Sequence, residues 1–184
     1  MNIAISGLHS QGKTTLINSL RERIELKNFN FADSPTRALS KIYPINEFGN
    51  QHTQLFIMMG HYANLATAEN SQNTIFDRCA LDGLAYSRYF FDKINISVVD
   101  IINRMYNMMI SKYDIIFYVE PELELVNDGE RSLNIDFFNF VKLNFRDIIN
   151  TDCLKVRNVS GTIEERTQYV VNTICEYKQL NFKI

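Results

Sequence analysis

The chain has 184 residues, is 46% hydrophobic and carries a formal net charge of −2 with a pI near 5.9. That length supports one sizeable core and is short for two, so a single domain over residues 1–184 is expected. The acidic balance argues against a broad basic footprint for nucleic acid or an anionic membrane, and no apolar run approaches the ~18 residues of a membrane span. Cys79, Cys153 and Cys175 are odd in number and lack C-x-x-C spacing, which fits reduced thiols in a cytoplasmic protein. No signal peptide is expected, because the N-terminus leads straight into a strand-like segment.

Ile3-Ala4-Ile5 lies in a first strand over residues 2–6. The next eight residues, Gly7-Leu8-His9-Ser10-Gln11-Gly12-Lys13-Thr14, satisfy the pattern G-x-x-x-x-G-K-[ST] in full. In such a loop the glycines permit a tight turn that points successive backbone N–H groups inward around phosphate oxygens. Lys13 brings an ammonium to the outer phosphates, and the Thr14 hydroxyl is a ligand for Mg²⁺. Leu16, Leu20 and Ile24 at helical spacing place a helix over about 13–27, whose N-terminal dipole adds positive potential at the same point. Chance gives this pattern in roughly one chain in a few hundred at ordinary glycine content. This chain is poorer in glycine, and the strand before and helix after are the context the motif needs. Gly7, His9, Ser10, Gln11, Gly12, Lys13, Thr14 and Thr15 are therefore expected at a nucleotide.

Asn28-Phe29-Asn30-Phe31-Ala32 reads as a second, buried strand ending at Asp33, and Ser34-Pro35 starts a helix. A loop over 42–50 leads to a long helix at about 51–70. A third strand, Asn73-Thr74-Ile75-Phe76, is closed by Asp77-Arg78; one helix follows through Leu81, Leu84, Ala85 and Tyr89, and another from about Val98 to Ile110. The continuous apolar run at 113–119 has the pattern of a strand covered on both faces. After a polar stretch at 120–133 come a helix at about 135–149, a short strand at about 153–157 and a final helix at about 162–177. Strands alternating with helices indicate an α/β fold, a parallel sheet with helices on both faces. Ligands of such sheets bind outside the carboxyl ends of the strands. That rule gathers residues 7–14, Asp33, Asp77, Arg78 and Glu120 onto one edge.

Asp77 at a strand end is placed either to hold the water shell of a magnesium ion or to accept a proton from an attacking hydroxyl. Arg78 would grip a phosphate or carboxylate on the acceptor; the plainer alternative is a surface ion pair. Asp128-Gly129-Glu130-Arg131-Ser132 is a polar turn, and Arg131 is its candidate for meeting negative charge on a transferred phosphoryl group. Asp33 and Arg37, one turn into the next helix, are placed to face the acceptor, and Gln54 to bond a planar base or amide edge. Each of these three has an ordinary structural alternative. His52 and His61 read as satisfied surface or core residues, and Phe29, Phe31, Phe56, Phe76 and Phe117 as core. Thr162 with Glu165 forms a capping box, and Gly161 before it lets backbone approach a nucleobase.

The phosphate loop with Thr15-Leu16, Tyr43-Pro44-Ile45-Asn46-Glu47, Gln54, the segment Phe76-Asp77-Arg78-Cys79-Ala80-Leu81-Asp82-Gly83-Leu84-Ala85-Tyr86, Asp128-Gly129-Glu130-Arg131, and Gly161-Thr162 with Arg166 together resemble P-loop kinases. The likeness is greatest to the AAA-type ATPase/kinase family that includes the nicotinamide-riboside kinase domain, and extends to thymidylate and deoxynucleoside kinases. It implies a three-layer fold whose five-stranded parallel sheet has the phosphate-loop strand at its centre. It also implies ATP and Mg²⁺ as cosubstrates, Asp77 and Arg78 at the acceptor, and a short lid at about 120–133 carrying Arg131. Acceptors across these families range from nucleosides and nucleotides to hydroxymethylated bases in phage DNA, and the sequence leaves these open. The frequent Asn and Ile match an AT-rich genome such as a phage's, which would place the protein in the host cytoplasm. A nucleotide-hydrolysing switch is the rival activity, and monomer and homodimer are both open.

Overall fold

β1 (Asn2–Ser6) is buried from Ile3 onward, and this is possible only for a strand with neighbours on both edges and cover on both faces. The computed structural model, which describes residues 1–70, 73–123, 132–152 and 155–181, supplies all four. β3 (Thr74–Asp77) pairs with one edge and β4 (Ile115–Val119) with the other, setting Ile5 opposite both Asp77 and Phe117. β2 (Asn30–Ala32) lies outside β3 and β5 (Val156–Val159) outside β4. The order is β2-β3-β1-β4-β5, and every pairing is parallel.

Successive side chains of a strand point to opposite faces, and the two halves of the core follow that rule. Ile3 and Ile5 of β1 with Ile115, Phe117 and Val119 of β4 face α1 (Lys13–Arg21) and α7 (Ile163–Asn181), where Leu16, Leu20, Val170 and Ile174 meet them. Ala4, Phe76, Ile116 and Tyr118 face the other way. There they meet α3 (Gln51–Ala68), α4 (Ala80–Ser87), α5 (Ile96–Ile110) and α6 (Ile135–Thr151), through Met58, Leu84, Ile102 and Phe145 among others. The short α2 (Pro35–Leu39) begins at Pro35, where the fixed φ of proline suits a first turn. The result is the expected three-layer α/β arrangement with β1 central.

The elements differ from the sequence reading mainly at the edges. α1 ends at Arg21, because Arg23 is extended (ψ 125°) and the chain makes a separate 3-10 turn at Ile24–Leu26. That turn buries Leu26 and Phe29 beside α7 and leaves Ile24 71% exposed, so the third apolar position at helical spacing is not a core position. β2 has three residues rather than five and is partly exposed, as befits an edge strand with one partner. β5 starts three residues later than expected and buries only Val159. No described helix is long and apolar enough to cross a membrane.

Candidate functional site

The loop between β1 and α1 uses three left-handed residues: Gly7 (φ +131°), Ser10 (φ +62°) and Gly12 (φ +77°). At Gly7 the requirement is also spatial, because a Cβ there would lie 2.8 Å from the carbonyl oxygen of Val119 on β4. Gly12 caps α1, and its carbonyl accepts the first helical hydrogen bond from Leu16 N–H at 3.0 Å. The Lys13 side chain is buried and donates to the Leu8 carbonyl inside the loop.

Two supports hold this loop from the α4 side. Asp82 accepts from the Ser6 hydroxyl (2.7 Å), Gly7 N–H (3.3 Å), Cys79 N–H (3.1 Å) and Arg78 Nη1 (2.9 Å). Arg78, itself left-handed (φ +70°), also donates to the Gly7 carbonyl and lies over the Tyr86 ring. The Tyr86 hydroxyl accepts from His9 N–H at 2.9 Å, and burial pushes that hydroxyl's pKa up, keeping it a neutral hydrogen-bonding group. From the α7 side, Arg166 donates through Nη1 to the Gln11 carbonyl and through Nη2 to Glu122, both at 2.9 Å. The Gln11 amide in turn exchanges two hydrogen bonds with the backbone of Leu123.

Above the sheet edge a cleft of about 530 Å³ opens. One wall is the loop from His9 to Thr14. The facing wall is built from Ser34, Thr36 and Arg37 around the start of α2, from Ile45 and Asn46 beyond it, and from Asp77 and Arg78 at the end of β3. Asp77 is 5% exposed and accepts from Arg37 Nη2 at 2.9 Å. Its other oxygen carries no hydrogen bond from the described residues. The hydroxyls of Ser10 and Ser34, buried in opposite walls, are likewise without partners. Buried polar atoms left unmatched at a cleft are acceptors and donors waiting for a ligand.

A smaller cavity of about 40 Å³ continues from the cleft, sharing Thr36, Ile45, Asn46 and Arg78 with it. Its far wall holds Gln54, His61, Tyr86 and Phe90. Gln54 is 2% exposed, and its Oε1 accepts from the Ser87 hydroxyl at 3.1 Å. His61 is 1% exposed and burial pushes its pKa down to about 4, with Asp82 and Arg78 acting in opposite directions.

The structure thus brings His9 to Thr14, Asp77, Arg78, Arg37 and Gln54 around one connected space, whereas Gly7 lies beneath it, packed against the Val119 backbone. Asp33 is not brought there: it is 71% exposed and pairs with Arg21 at 3.0 Å. Thr15 is exposed and lies outside the cleft wall. Gly161 (φ +90°) donates to Glu122 beside the loop, ahead of the expected Thr162–Glu165 capping box. Arg131 and residues 128–130 of the turn carrying it lie outside the described residues, as does Cys153. The sequence reading missed Asp82 as an anchor of the loop. The available signal was a capping box, but with Cys79 in the place where Ser or Thr is usual. Tyr86 and Arg166 entered the sequence reading only among the residues that carry the family resemblance, with no role given, since each acts on residues far off in the chain.

Residues 2–166 match the profile of the AAA domain family. The chain belongs to that family. No curated protein sequence matches it significantly. Among solved structures it is similar to deoxyadenosine kinase from M. mycoides with dCMP and dCDP bound (17% identity, TM-score 0.71, 96% of this chain and 100% of that one). It is similar to a NadR protein in complex with NR (20% identity, TM-score 0.74, 96% of this chain and 51% of that one). It is also similar to thymidylate kinase from Candida albicans (21% identity, TM-score 0.69, 96% of this chain and 92% of that one). At these identities the likeness establishes the P-loop kinase fold.

A family site of this build has the donors that a magnesium nucleotide needs. Mg²⁺ keeps most of its waters and takes one or two protein oxygens, the rest coming from phosphates. The Thr14 hydroxyl and the unbonded Asp77 oxygen border the same cleft and fit that demand, and no group of three or more His, Cys, Asp or Glu forms a closed metal cage among the described residues.

Proposed function

We propose that the protein is an ATP-dependent phosphotransferase acting on a nucleoside, nucleotide or related acceptor. The observation that carries this reading is the cleft that His9 to Thr14 of the phosphate loop line together with Asp77, Arg78 and Arg37. Loop N–H groups and Lys13 hold the β- and γ-phosphates, with His9, Ser10, Gln11 and Gly12 shaping the cradle. Thr14 and Asp77 would hold Mg²⁺, which supplies charge neutralisation to the phosphates when bound.

In the transfer, an acceptor oxygen forms a bond to the γ-phosphorus as the bond from that phosphorus to the β–γ bridging oxygen breaks. The electron pair leaves with ADP. Asp77 serves as the acceptor of the hydroxyl proton or as a ligand in the magnesium water shell, and Arg37, fixed on Asp77, presents the rest of its half-exposed guanidinium to the acceptor. Arg78 fixes the floor between loop and acceptor, and Arg131 is assigned to the transferred group by its place in the sequence alone.

The deciding experiment incubates the protein with γ-labelled ATP and Mg²⁺ against nucleosides, nucleoside monophosphates, nicotinamide riboside and DNA with and without hydroxymethylated bases. Label on one acceptor class is the expected result. Label released only as inorganic phosphate would replace the reading with a hydrolysing switch.

A further inference from the structure

The two walls of the cleft are joined by the start of α6. On the phosphate-loop side, the His9 ring stacks on Phe137 (centroids 6.1 Å apart, 24° between planes) and meets Phe138 edge-on at 5.4 Å. Phe137 is fully buried and its N–H is capped by the Asn134 side chain at 3.0 Å, so the first turn of α6 is fixed where it touches His9. On the acceptor side, the Ser132 hydroxyl, buried just before that cap, accepts from Asn134 N–H at 3.0 Å and donates to Glu47 Oε1 at 2.8 Å. Glu47 directly follows Ile45 and Asn46, which line the cleft. It lies in a turn closed by hydrogen bonds from Phe48 N–H to the Ile45 carbonyl and from Gly49 N–H to the Asn46 carbonyl.

The Glu47 contact is close to balance. One carboxylate oxygen has the Ser132 hydroxyl, while Oε2 is buried without a hydrogen-bond partner among the described residues. Withholding that second oxygen from water offsets much of what the first one gains, so the turn is held in place by a small margin. An element near balance is what coupling between two sites needs, because a modest change at one end decides which state is populated. A nucleotide on the phosphate loop orders the segment that carries the His9 ring, and with it the surface on which Phe137 and Phe138 pack. We propose that the Glu47–Ser132 contact couples the two walls: nucleotide at the phosphate loop favours Glu47 docked on Ser132, and so orders the turn at 45–49 that borders the acceptor side of the cleft. Glu47 and Ser132 are then positioning residues, acting through Ile45 and Asn46 and not on the reacting atoms. Linkage makes the effect reciprocal, so a ligand that orders this turn also tightens the nucleotide. The inference rests on the nucleotide-binding part of the proposed function and not on phosphoryl transfer.

Hydrogen exchange of the full chain, followed by mass spectrometry with and without saturating MgATP, reads both ends at once. In wild type, MgATP is expected to slow exchange at residues 7–14 and, by roughly 3- to 10-fold, at 45–49, the worth of about one hydrogen bond. Ser132→Ala and Glu47→Ala are each expected to abolish the slowing at 45–49 and to leave that at 7–14 in place. Glu47→Gln, which keeps an oxygen for the Ser132 hydroxyl, should retain both. The double variant Ser132→Ala with Glu47→Ala should behave like either single one, since both changes remove the same contact. Glu47 lies on a half-buried turn outside both cores, so its variants carry the comparison should Ser132→Ala not fold. Slowing at 45–49 that survives in Glu47→Ala, or that is missing from wild type while 7–14 is protected, would overturn the inference and leave nucleotide binding intact. Slowing at neither segment would sink the nucleotide reading and the inference with it. Slowing at both, lost at 45–49 in the variants, with no label passed to any acceptor would sink the phosphotransferase reading alone.

Discussion

Asp82 carries more of the site's geometry than any residue that faces the ligand. It is 2% exposed, sits at the third position of α4, and receives donors from β1, the phosphate loop, the helix cap and Arg78. The Arg78 charge beside it is 18% exposed at the side chain, so its compensation comes chiefly from this one carboxylate. Breaking a buried pair by removing one partner strands the other charge and usually costs about 3–5 kcal/mol. Asp82→Ala is therefore expected to lower unfolding stability by that order in a urea titration, and to weaken MgATP binding because Gly7 and Ser6 lose their anchor. A loss below about 1 kcal/mol with unchanged nucleotide affinity would mean that the loop is held by its own turns. Asp33 makes the contrasting case: a carboxylate at a strand end in sequence, yet 71% exposed, where an ion pair contributes little.

At the scale of elements, the segment β1–loop–α1 was legible because each signal is local: an apolar run, a fixed motif and apolar residues at 3.6 spacing. β3 ending at Asp77 and the fully buried β4 were legible for the same reason. The edge strands were not, since a three-residue β2 with one partner has little pattern to show, and the early end of α1 depends on how Leu26 and Phe29 pack against α7. The joins between elements were illegible altogether. Arg166 lies on α7, 155 residues from the loop carbonyl it holds, and no spacing in the sequence records that contact. Its three acceptors among the described residues, Gln11, Gly161 and Glu122, suit the planar fork of a guanidinium and not a single ammonium. Arg166→Lys should thus weaken MgATP binding by about tenfold in calorimetry, the worth of roughly one charge-assisted hydrogen bond. Unchanged affinity in that variant would show that α7 merely covers the sheet.

Taken as a whole, the molecule stacks two apolar layers on a sheet whose carboxyl edge holds several polar groups without a partner among the described residues, Thr74 and Tyr113 leaving two more at the other edge. The hydroxyls of Ser10 and Ser34, without partners among the described residues, and the Asp77 carboxylate, held there by Arg37 alone, line one cleft. A fold that leaves polar groups unmet at a cleft is stabilised by the ligand that meets them, by RT ln(1 + [L]/Kd), or about 2.7 kcal/mol at a hundredfold excess over Kd. For a chain of this size each kcal/mol raises Tm by about 2–4 °C, so saturating MgATP should raise it by about 5–10 °C. Lys13→Ala removes the ammonium that meets the outer phosphates and leaves both cores intact. In that variant the unliganded Tm should stay within about 3 °C of wild type, and the MgATP-induced rise should fall to less than about 2 °C. A full thermal shift in Lys13→Ala, or none in wild type at millimolar MgATP, would place the nucleotide elsewhere or nowhere on this protein. Omitting Mg²⁺ completes the test: the wild-type shift should shrink if Thr14 and Asp77 share the ion with the phosphates, and stay whole if the loop amides and Lys13 bind the triphosphate unaided.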